Sequence, residues 1–155
     1  MDYKNEAGTT VRIVKQDQTA INNSISSKMN SSIAGDKVEA KVGDYIQSST
    51  DLKLTDYANK VKTPGGGTLG DIDCATSNTL IEIKKSASSI KGEQFDKYID
   101  QANAKYINVE NKQVVLYVEE PINYNNIKNA KMIEKLKTRG VIVVNSLEEL
   151  EGVLK

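Results

Sequence analysis

Residues 70–85 restrict the fold of this chain more than any other segment, because charged and apolar side chains alternate along them. The segment reads Gly-Asp-Ile-Asp-Cys-Ala-Thr-Ser-Asn-Thr-Leu-Ile-Glu-Ile-Lys-Lys. Successive side chains of a β-strand point to opposite faces, so the alternation predicts two antiparallel strands joined by a tight turn. On the first strand, Asp71 and Asp73 share one face, and Ile72 and Cys74 are expected on the other.

On the returning strand, Glu82 and Lys84 share a face, and the length of the turn decides what lies opposite them. A two-residue turn at Ser77-Asn78 pairs Asp73 with Glu82 and Asp71 with Lys84. A four-residue turn pairs Asp71 with Glu82 instead. Either register is expected to gather all four charges on one surface.

Three carboxylates beside a lysine are typical of a site for a hard cation next to an amine that handles protons or stabilises charge. The chain has no histidine, which excludes Ser-His-Asp and Cys-His nucleophiles, histidine-pair ribonucleases and histidine-ligated zinc. Carboxylates, lysine and tyrosine remain as acid-base and metal-binding groups. The plain alternative is a solvated charged face whose ion pairs contribute little to stability.

The bulk composition indicates one domain without structural disulfides. A chain of 155 residues is long enough to bury a core, and its single cysteine, Cys74, cannot form an internal disulfide. The mean hydropathy is −0.48, and no apolar run approaches the roughly 18 residues of a membrane span. Lys+Arg and Asp+Glu both total 21, so any polyanionic partner must be held by a local patch.

The first part of the chain is polar and is expected to be loosely organised. Residues 1–32 are rich in Asn, Ser, Thr and Gln, and we interpret them as a partly ordered lead-in with helix around 18–30. Residues 33–155 are predicted to form a single domain. It begins with an amphipathic helix over about 35–48, and Glu39 lies on the edge of its apolar stripe.

After the hairpin, the pattern alternates between helix and strand. A helix is expected over about 91–107, a strand over 113–118, a helix over 127–136, a short strand after Gly140 and a terminal helix. This order predicts an α/β fold with a mixed central β-sheet flanked by helices.

These residues resemble a known family. Gly70-Asp71-Ile72-Asp73, a short hairpin and then Ile81-Glu82-Ile83-Lys84 resemble the D…(D/E)-x-K core of the PD-(D/E)xK nuclease superfamily, which has the restriction-endonuclease-like fold. In that family an acidic residue often comes from the preceding helix, and Glu39 matches it in type and placement. Gln94 and Tyr98 resemble the Q-x-x-x-Y element of the exonuclease-like branch. No proline precedes the aspartate, which departs from the usual pattern.

The resemblance implies a metal-dependent nuclease. Asp73 and Glu82 would be the main metal ligands, joined by Glu39 and by the backbone carbonyl of Ile83, and all four donors are oxygens that suit Mg²⁺ or Mn²⁺. Lys84 would orient or help to deprotonate the attacking water, so the expected catalytic residues are Glu39, Asp73, Glu82 and Lys84. The expected substrate contacts are Asp71, Lys85, Lys91, Gln94 and Tyr98.

A narrower resemblance concerns the biological role. Small nuclease domains of this kind are similar to the C-terminal toxin domains of bacterial contact-dependent growth inhibition and related polymorphic toxins. That resemblance implies delivery into the cytoplasm of a target cell by a secreted or cell-surface parent protein, and a cognate immunity protein. Transfer RNA is favoured over DNA as the substrate, because a neutral chain does not suit a long duplex. The alternatives are a housekeeping DNA repair or junction-resolving nuclease, and a catalytically degenerate binding module.

Overall fold

The computed structural model describes residues 1–154, so Lys155, the last residue of the predicted domain, lies outside the described part. Within it, seven strands form one mixed sheet in chain order. Strands β1 to β5 pair antiparallel, and β5, β6 and β7 pair parallel. The strands are β1 (Asp2–Lys4), β2 (Thr10–Arg12), β3 (Asp56–Lys62), β4 (Thr68–Ala75), β5 (Thr79–Lys84), β6 (Gln113–Val118) and β7 (Ile142–Val144).

Two layers of helices cover the sheet, one on each face. The described residues contain α1 (Gln18–Met29), α2 (Ala34–Ser49), α3 (Gly92–Ile99), α4 (Ile127–Thr138) and α5 (Leu147–Val153). We call the cluster of buried side chains beneath α1, α2 and α5 the α2-side core, and the cluster beneath α3 and α4 the α3-side core. None of the helices within residues 1–154 combines the length and the apolar character that crossing a bilayer requires. The predicted α/β fold with a mixed sheet between helices is confirmed.

Strand β6 shows how the sequence produces this three-layer arrangement. Val114, Leu116 and Val118 face the α3-side core, while Val115 and Tyr117 face the α2-side core. All five are buried, as expected for a parallel strand that is covered on both faces. The strand occupies the residues that the apolar run at 113–118 predicts.

The residues interpreted as a polar lead-in contain two strands and a helix. The helix expected around 18–30 is α1, and Asp17 caps it by accepting a hydrogen bond from the Ala20 N–H. Strands β1 and β2 continue the sheet beyond β3, and Val11 of β2 is fully buried. Ile21 and Ile25 of α1 pack into the α2-side core. Few apolar residues are present in this segment, but Val11, Ile21 and Ile25 lie on inward-facing positions, whereas Val14 and Met29 are exposed.

The hairpin at 70–85 has the register of a two-residue turn. Cys74 pairs with Ile81 and Ala75 with Leu80, and the Thr76 N–H donates to the carbonyl oxygen of Thr79 at 2.9 Å. This register places Asp73 level with Glu82.

The alternation of faces along β4 is broken at Asp73, and the expectation that Ile72 and Cys74 share a face is wrong. Ile72 packs in the α3-side core, whereas Cys74 packs in the α2-side core. Opposite Asp73, Ala58 of β3 has a φ of 48°, a left-handed conformation that interrupts the regular pleat. This irregularity breaks the alternation of side chains along the strand. Ile72 and Cys74, two residues apart, therefore face opposite sides of the sheet.

The helix expected over 91–107 is also wrong in length, because α3 ends at Ile99. The side chain of Asp100 accepts a hydrogen bond from the Ala102 N–H, and Asn103 accepts one from the Lys105 N–H. These local bonds offer the backbone an alternative to helix. Tyr106 and Ile107 are still buried, but they reach the core from a loop.

We expect Gly43→Ala to destabilise the fold by about 1–3 kcal/mol, because a larger residue overpacks the core there. A Cβ atom at Gly43 would lie 2.8 Å from Tyr57 Cε2 and 3.2 Å from Ile25 Cδ1. Tyr57 is fully buried, so a shift of its ring would disturb the α2-side core. The measurement is the free energy of unfolding from urea denaturation.

Gly35→Ala in the same helix is the matched control, since a Cβ atom there meets nothing within 4 Å. It should leave stability unchanged or raise it by up to about 1 kcal/mol, because alanine is the better helix former. Equal effects at the two positions would contradict the close packing of Tyr57 against α2.

Candidate active site

The candidate site lies where β4 and β5 separate. Their ladder ends at the pair of Cys74 and Ile81. One residue further, the Ile83 N–H donates to Oδ2 of Asp73 at 2.9 Å instead of to a backbone carbonyl of β4. The aspartate side chain thus takes the place of a strand partner, which fixes its carboxylate in the opening between the two strands.

Glu82 is buried beside this opening and is oriented by α3. Its side chain is 2% exposed, and Oε2 accepts a hydrogen bond from the Tyr98 hydroxyl at 2.7 Å. The carbonyl oxygen of Asp71 lies 3.0 Å from the same hydroxyl, so Tyr98 connects both strands of the hairpin to α3. Lys84 Nζ lies 3.7 Å from the other oxygen of Glu82. A buried glutamate with these partners is not part of a solvated charged face.

Burial makes it unfavourable for both carboxyl groups to be ionised together. Burial raises the pKa of Asp73 well above its usual range, the Glu82 carboxylate raises it further, and the hydrogen bond from Ile83 opposes both effects. Burial also raises the pKa of Glu82, against the hydrogen bond from Tyr98 and the positive charge of Lys84. A cation bound by the two carboxylates would remove their repulsion.

Glu39 comes from α2 and is held by a lysine of α1. Its carboxylate forms a short ion pair with Lys28 Nζ, which also lies 3.7 Å from a carboxylate oxygen of Asp36. Burial raises the pKa of Glu39, the negative charge of Asp73 raises it further, and Lys28 opposes both. Glu39 is therefore close enough to Asp73 for their negative charges to repel each other, but its ion-pair partner is Lys28.

The backbone of Ile83 adds a further oxygen to this opening. The Lys84 carbonyl accepts a hydrogen bond from the Glu119 N–H, so the backbone polar groups of Lys84 face away from β4. Alternate residues of a strand direct these groups to opposite neighbours. The carbonyl of Ile83 therefore points toward β4, as its N–H does, beyond the end of the ladder.

These donors match the chemistry of a hard divalent cation. Asp73 and Glu82 supply adjacent carboxylates, and the Ile83 carbonyl faces the same opening. Across residues 1–154, no three acidic or cysteine side chains are grouped closely enough to hold a metal ion as they stand. Glu39, the third expected ligand, is bonded to Lys28 instead, so it would join the other two by leaving that lysine or through a water molecule.

The other expected substrate contacts lie around this cluster in different settings. The amide oxygen of Gln94 is buried without a hydrogen-bond partner among the described residues. The Tyr98 hydroxyl, in contrast, donates a hydrogen bond to Glu82. Asp71, Lys85 and Lys91 are exposed. The structure thus brings Asp73, Glu82, Lys84 and Tyr98 into contact and leaves these three residues at the surface.

Two residues of the site were not anticipated from the sequence, Lys28 and Tyr57. Lys28 Nζ lies 5.9 Å from the centre of the Tyr57 ring, and the Tyr57 hydroxyl is buried without a hydrogen-bond partner among the described residues. Lys28 follows Ile21 and Ile25 at spacings of seven and three residues, which places it on the inward face of α1. That spacing is the sequence signal that could have identified it.

Comparison of the chain with protein-family models, curated proteins and solved structures found no match. Its function is therefore inferred from the residues of the site.

We expect Asp73→Asn to stabilise the fold at neutral and alkaline pH when divalent ions are removed with EDTA. Because the folded state raises the pKa of Asp73, it binds a proton more tightly than the unfolded state. Stability from this group is therefore present below the unfolded pKa, about 4, and is lost as pH rises toward the folded pKa. Asparagine keeps the acceptor for the Ile83 N–H without the charge.

The measurement is the urea midpoint of both proteins between pH 4 and 9. The gain in the variant should grow with pH and shrink toward pH 4. Asp71→Asn removes one exposed charge of the same type and should follow the wild-type profile. If the variant is less stable than the wild type at every pH from 4 to 9, burial of the ionised Asp73 carboxylate does not destabilise the fold.

Proposed function

We propose that this chain is a divalent-metal-dependent endonuclease that hydrolyses phosphodiester bonds. The observation that carries the proposal is the approach of Asp73, Glu82 and Lys84 at the open end of a hairpin. Lys84 Nζ lies 3.7 Å from Glu82 Oε1, and Asp73 is held by the backbone N–H that follows Glu82. Two carboxylates and a lysine in this order are the core that resembles the PD-(D/E)xK superfamily.

The proposed cofactor is Mg²⁺ or Mn²⁺, held by Asp73, Glu82 and the Ile83 carbonyl, with Glu39 joining directly or through water. When bound, such an ion lowers the pKa of a coordinated water and neutralises charge on the phosphate. The oxygen donors and the adjacent buried carboxylates fit this group. Glu39, Asp73, Glu82 and Lys84 are the proposed catalytic residues.

The protein's own contribution is to hold these groups in place. Tyr98 fixes one oxygen of Glu82 and the Ile83 N–H fixes one oxygen of Asp73, so the second oxygen of each carboxylate would bind the cation. In Glu82 this is the oxygen that lies 3.7 Å from Lys84 Nζ. Lys84, with a side chain only 18% exposed, would face the attacked phosphate, orient the attacking water and offset negative charge. Gln94, Asp71, Lys85 and Lys91 would contact the substrate around this centre.

The placement of the elements also supports a restriction-endonuclease-like core. The helix that bears Glu39 precedes the hairpin, and the helix that bears Gln94 and Tyr98 follows it. Both helices reach the hairpin from opposite faces of the sheet, and each supplies a side chain to the same cluster. This is the arrangement that the resemblance implies for the acidic helix residue and for the Q-x-x-x-Y pair.

The biological role we propose is that of an interbacterial toxin domain, as in contact-dependent growth inhibition, with transfer RNA as the preferred substrate and DNA as the second choice. The chain carries 21 acidic and 21 basic residues, a balance that favours a compact nucleic acid over a long duplex. The proposed partner is an immunity protein, and the proposed site of action is the cytoplasm of the target cell.

We expect the chain to degrade transfer RNA from a total RNA preparation in the presence of Mg²⁺ and to be inactive in EDTA. Glu82→Gln and Lys84→Met should each lower the cleavage rate by about 100-fold or more, because each removes a charge that acts on the transition state. Plasmid DNA is tested in parallel. Cleavage is measured by gel electrophoresis, and toxicity by growth after expression in bacteria.

Glu134→Ala and Lys53→Ala are the matched controls, since both side chains are exposed and lie outside the site. Unchanged cleavage in the Glu82 and Lys84 variants would overturn the assignment of the metal site. Cleavage of DNA alone by a dimeric protein would favour the repair or junction-resolving alternative. Degradation of neither nucleic acid by the wild-type chain would favour a binding module.

A further inference from the structure

We propose that a basic groove beside the candidate active site binds the sugar-phosphate backbone of the nucleic-acid substrate next to the cleaved bond. This inference rests on the proposed function and extends it to residues that the resemblance does not include. The groove has a volume of about 470 Å³. We call it the β3 groove, and its lining consists of Arg12, Val14, Ala58, Asn59, Lys60, Lys62, Thr63, Pro64 and Gly66.

The β3 groove adjoins the site through the pairing of β3 with β4. Lys60 pairs with Asp71, and Asn59 pairs with Ile72, which places Ala58 opposite Asp73. Neighbouring strands lie about 5 Å apart, so the groove begins one strand away from the carboxylate of Asp73. Lys60 and Lys62 follow Ala58 along the strand at about 7 and 13 Å, at roughly 3.3 Å per residue.

The part of β3 that forms the groove is exposed to solvent beyond Tyr57. Tyr57 is fully buried against α2, but Lys60 and Lys62 further along the strand are exposed. Val61 between them packs into the α3-side core, whereas both lysines line the groove. The pairing register shifts between Val61 and Lys62, an irregularity that redirects side chains at the edge of a site.

The charge of the groove suits a polyanion. Three of its nine lining residues are cations and none is an acid. Arg12 is already paired with Asp2, through Nε at 2.9 Å and Nη2 at 3.1 Å. Lys60 and Lys62 have no ion pair among the described residues. A chain with no net charge can hold a polyanion only through such a local concentration of positive charge.

The lining also indicates which part of a nucleic acid binds. No aromatic side chain lines the groove, so it offers no surface on which bases could stack. The amide nitrogen of Asn59 already donates to the Val14 carbonyl at 3.0 Å and to Asp56. Lysines and the Thr63 hydroxyl remain, and these groups contact phosphates without reading sequence. The β3 groove is therefore a positioning surface for the backbone.

The test is the salt dependence of binding by the double variant Lys60→Ala, Lys62→Ala. Binding of fluorescent RNA and DNA oligonucleotides to the full chain is measured by anisotropy in EDTA, where cleavage is prevented. We expect the affinity at low salt to fall on the order of tenfold. The slope of log affinity against log salt should fall by about two, one for each lysine. With Mg²⁺, kcat should stay within about twofold while KM rises, since binding alone is lost.

The double variant Lys53→Ala, Lys105→Ala is the control, because it removes the same charge from two exposed lysines outside the groove. If both double variants show the same affinity and salt slope while the wild type cleaves, the proposed role of the groove is wrong and the nuclease proposal stands. If the wild type cleaves nothing but the slope still falls only in the Lys60, Lys62 variant, the nuclease proposal fails and the groove remains a polyanion site. Thermal unfolding of each variant checks that the fold is retained.

Discussion

The hydrogen bond from the Ile83 N–H to the carboxylate of Asp73 organises the rest of the site. In a regular sheet this N–H would bond to a carbonyl of β4, and the two strands would remain paired along their length. With the carboxylate in that place, β4 and β5 separate at the level of Glu82. The separation admits the Tyr98 hydroxyl from one helical layer and leaves Glu39 close to Asp73 from the other. The Asp73 side chain thus ends the pairing of β4 with β5 and creates a polar site between the two hydrophobic cores.

This centre is electrostatically costly, and its neighbours reduce the cost only in part. Tyr98 and Lys84 support Glu82, and Lys28 neutralises Glu39, yet the pKa values of all three carboxyl groups are raised, because their burial is not fully offset. Groups held in such unfavourable surroundings are common where chemistry is performed, although structural networks also produce them. Stability alone does not account for carboxylates in this position, because apolar residues would pack there at lower cost.

The parts of this structure that depend on local pattern could be predicted from the sequence. The alternation at 70–85 and a two-residue turn determine the hairpin register, and the apolar run at 113–118 is a strand buried on both faces. The left-handed Ala58 could not be predicted, because nothing in an alanine signals it, and it reverses the faces of Ile72 and Cys74. The role of Lys28 depends on the packing of α1 against α2, which is a long-range contact.

The change from antiparallel to parallel pairing at β5 bears on the order in which the molecule assembles. Strands β3, β4 and β5 are joined by short turns, so the segment that carries Asp73 and Glu82 needs little loop closure. Pairing of β5 with β6 joins Thr79 to Gln113, a far longer closure, and it encloses α3. Local contacts form faster than distant ones, so we expect the two carboxylates to meet while water still surrounds them. We expect their dehydration to follow when α3 and β6 dock, because the rest of the core can then balance its cost.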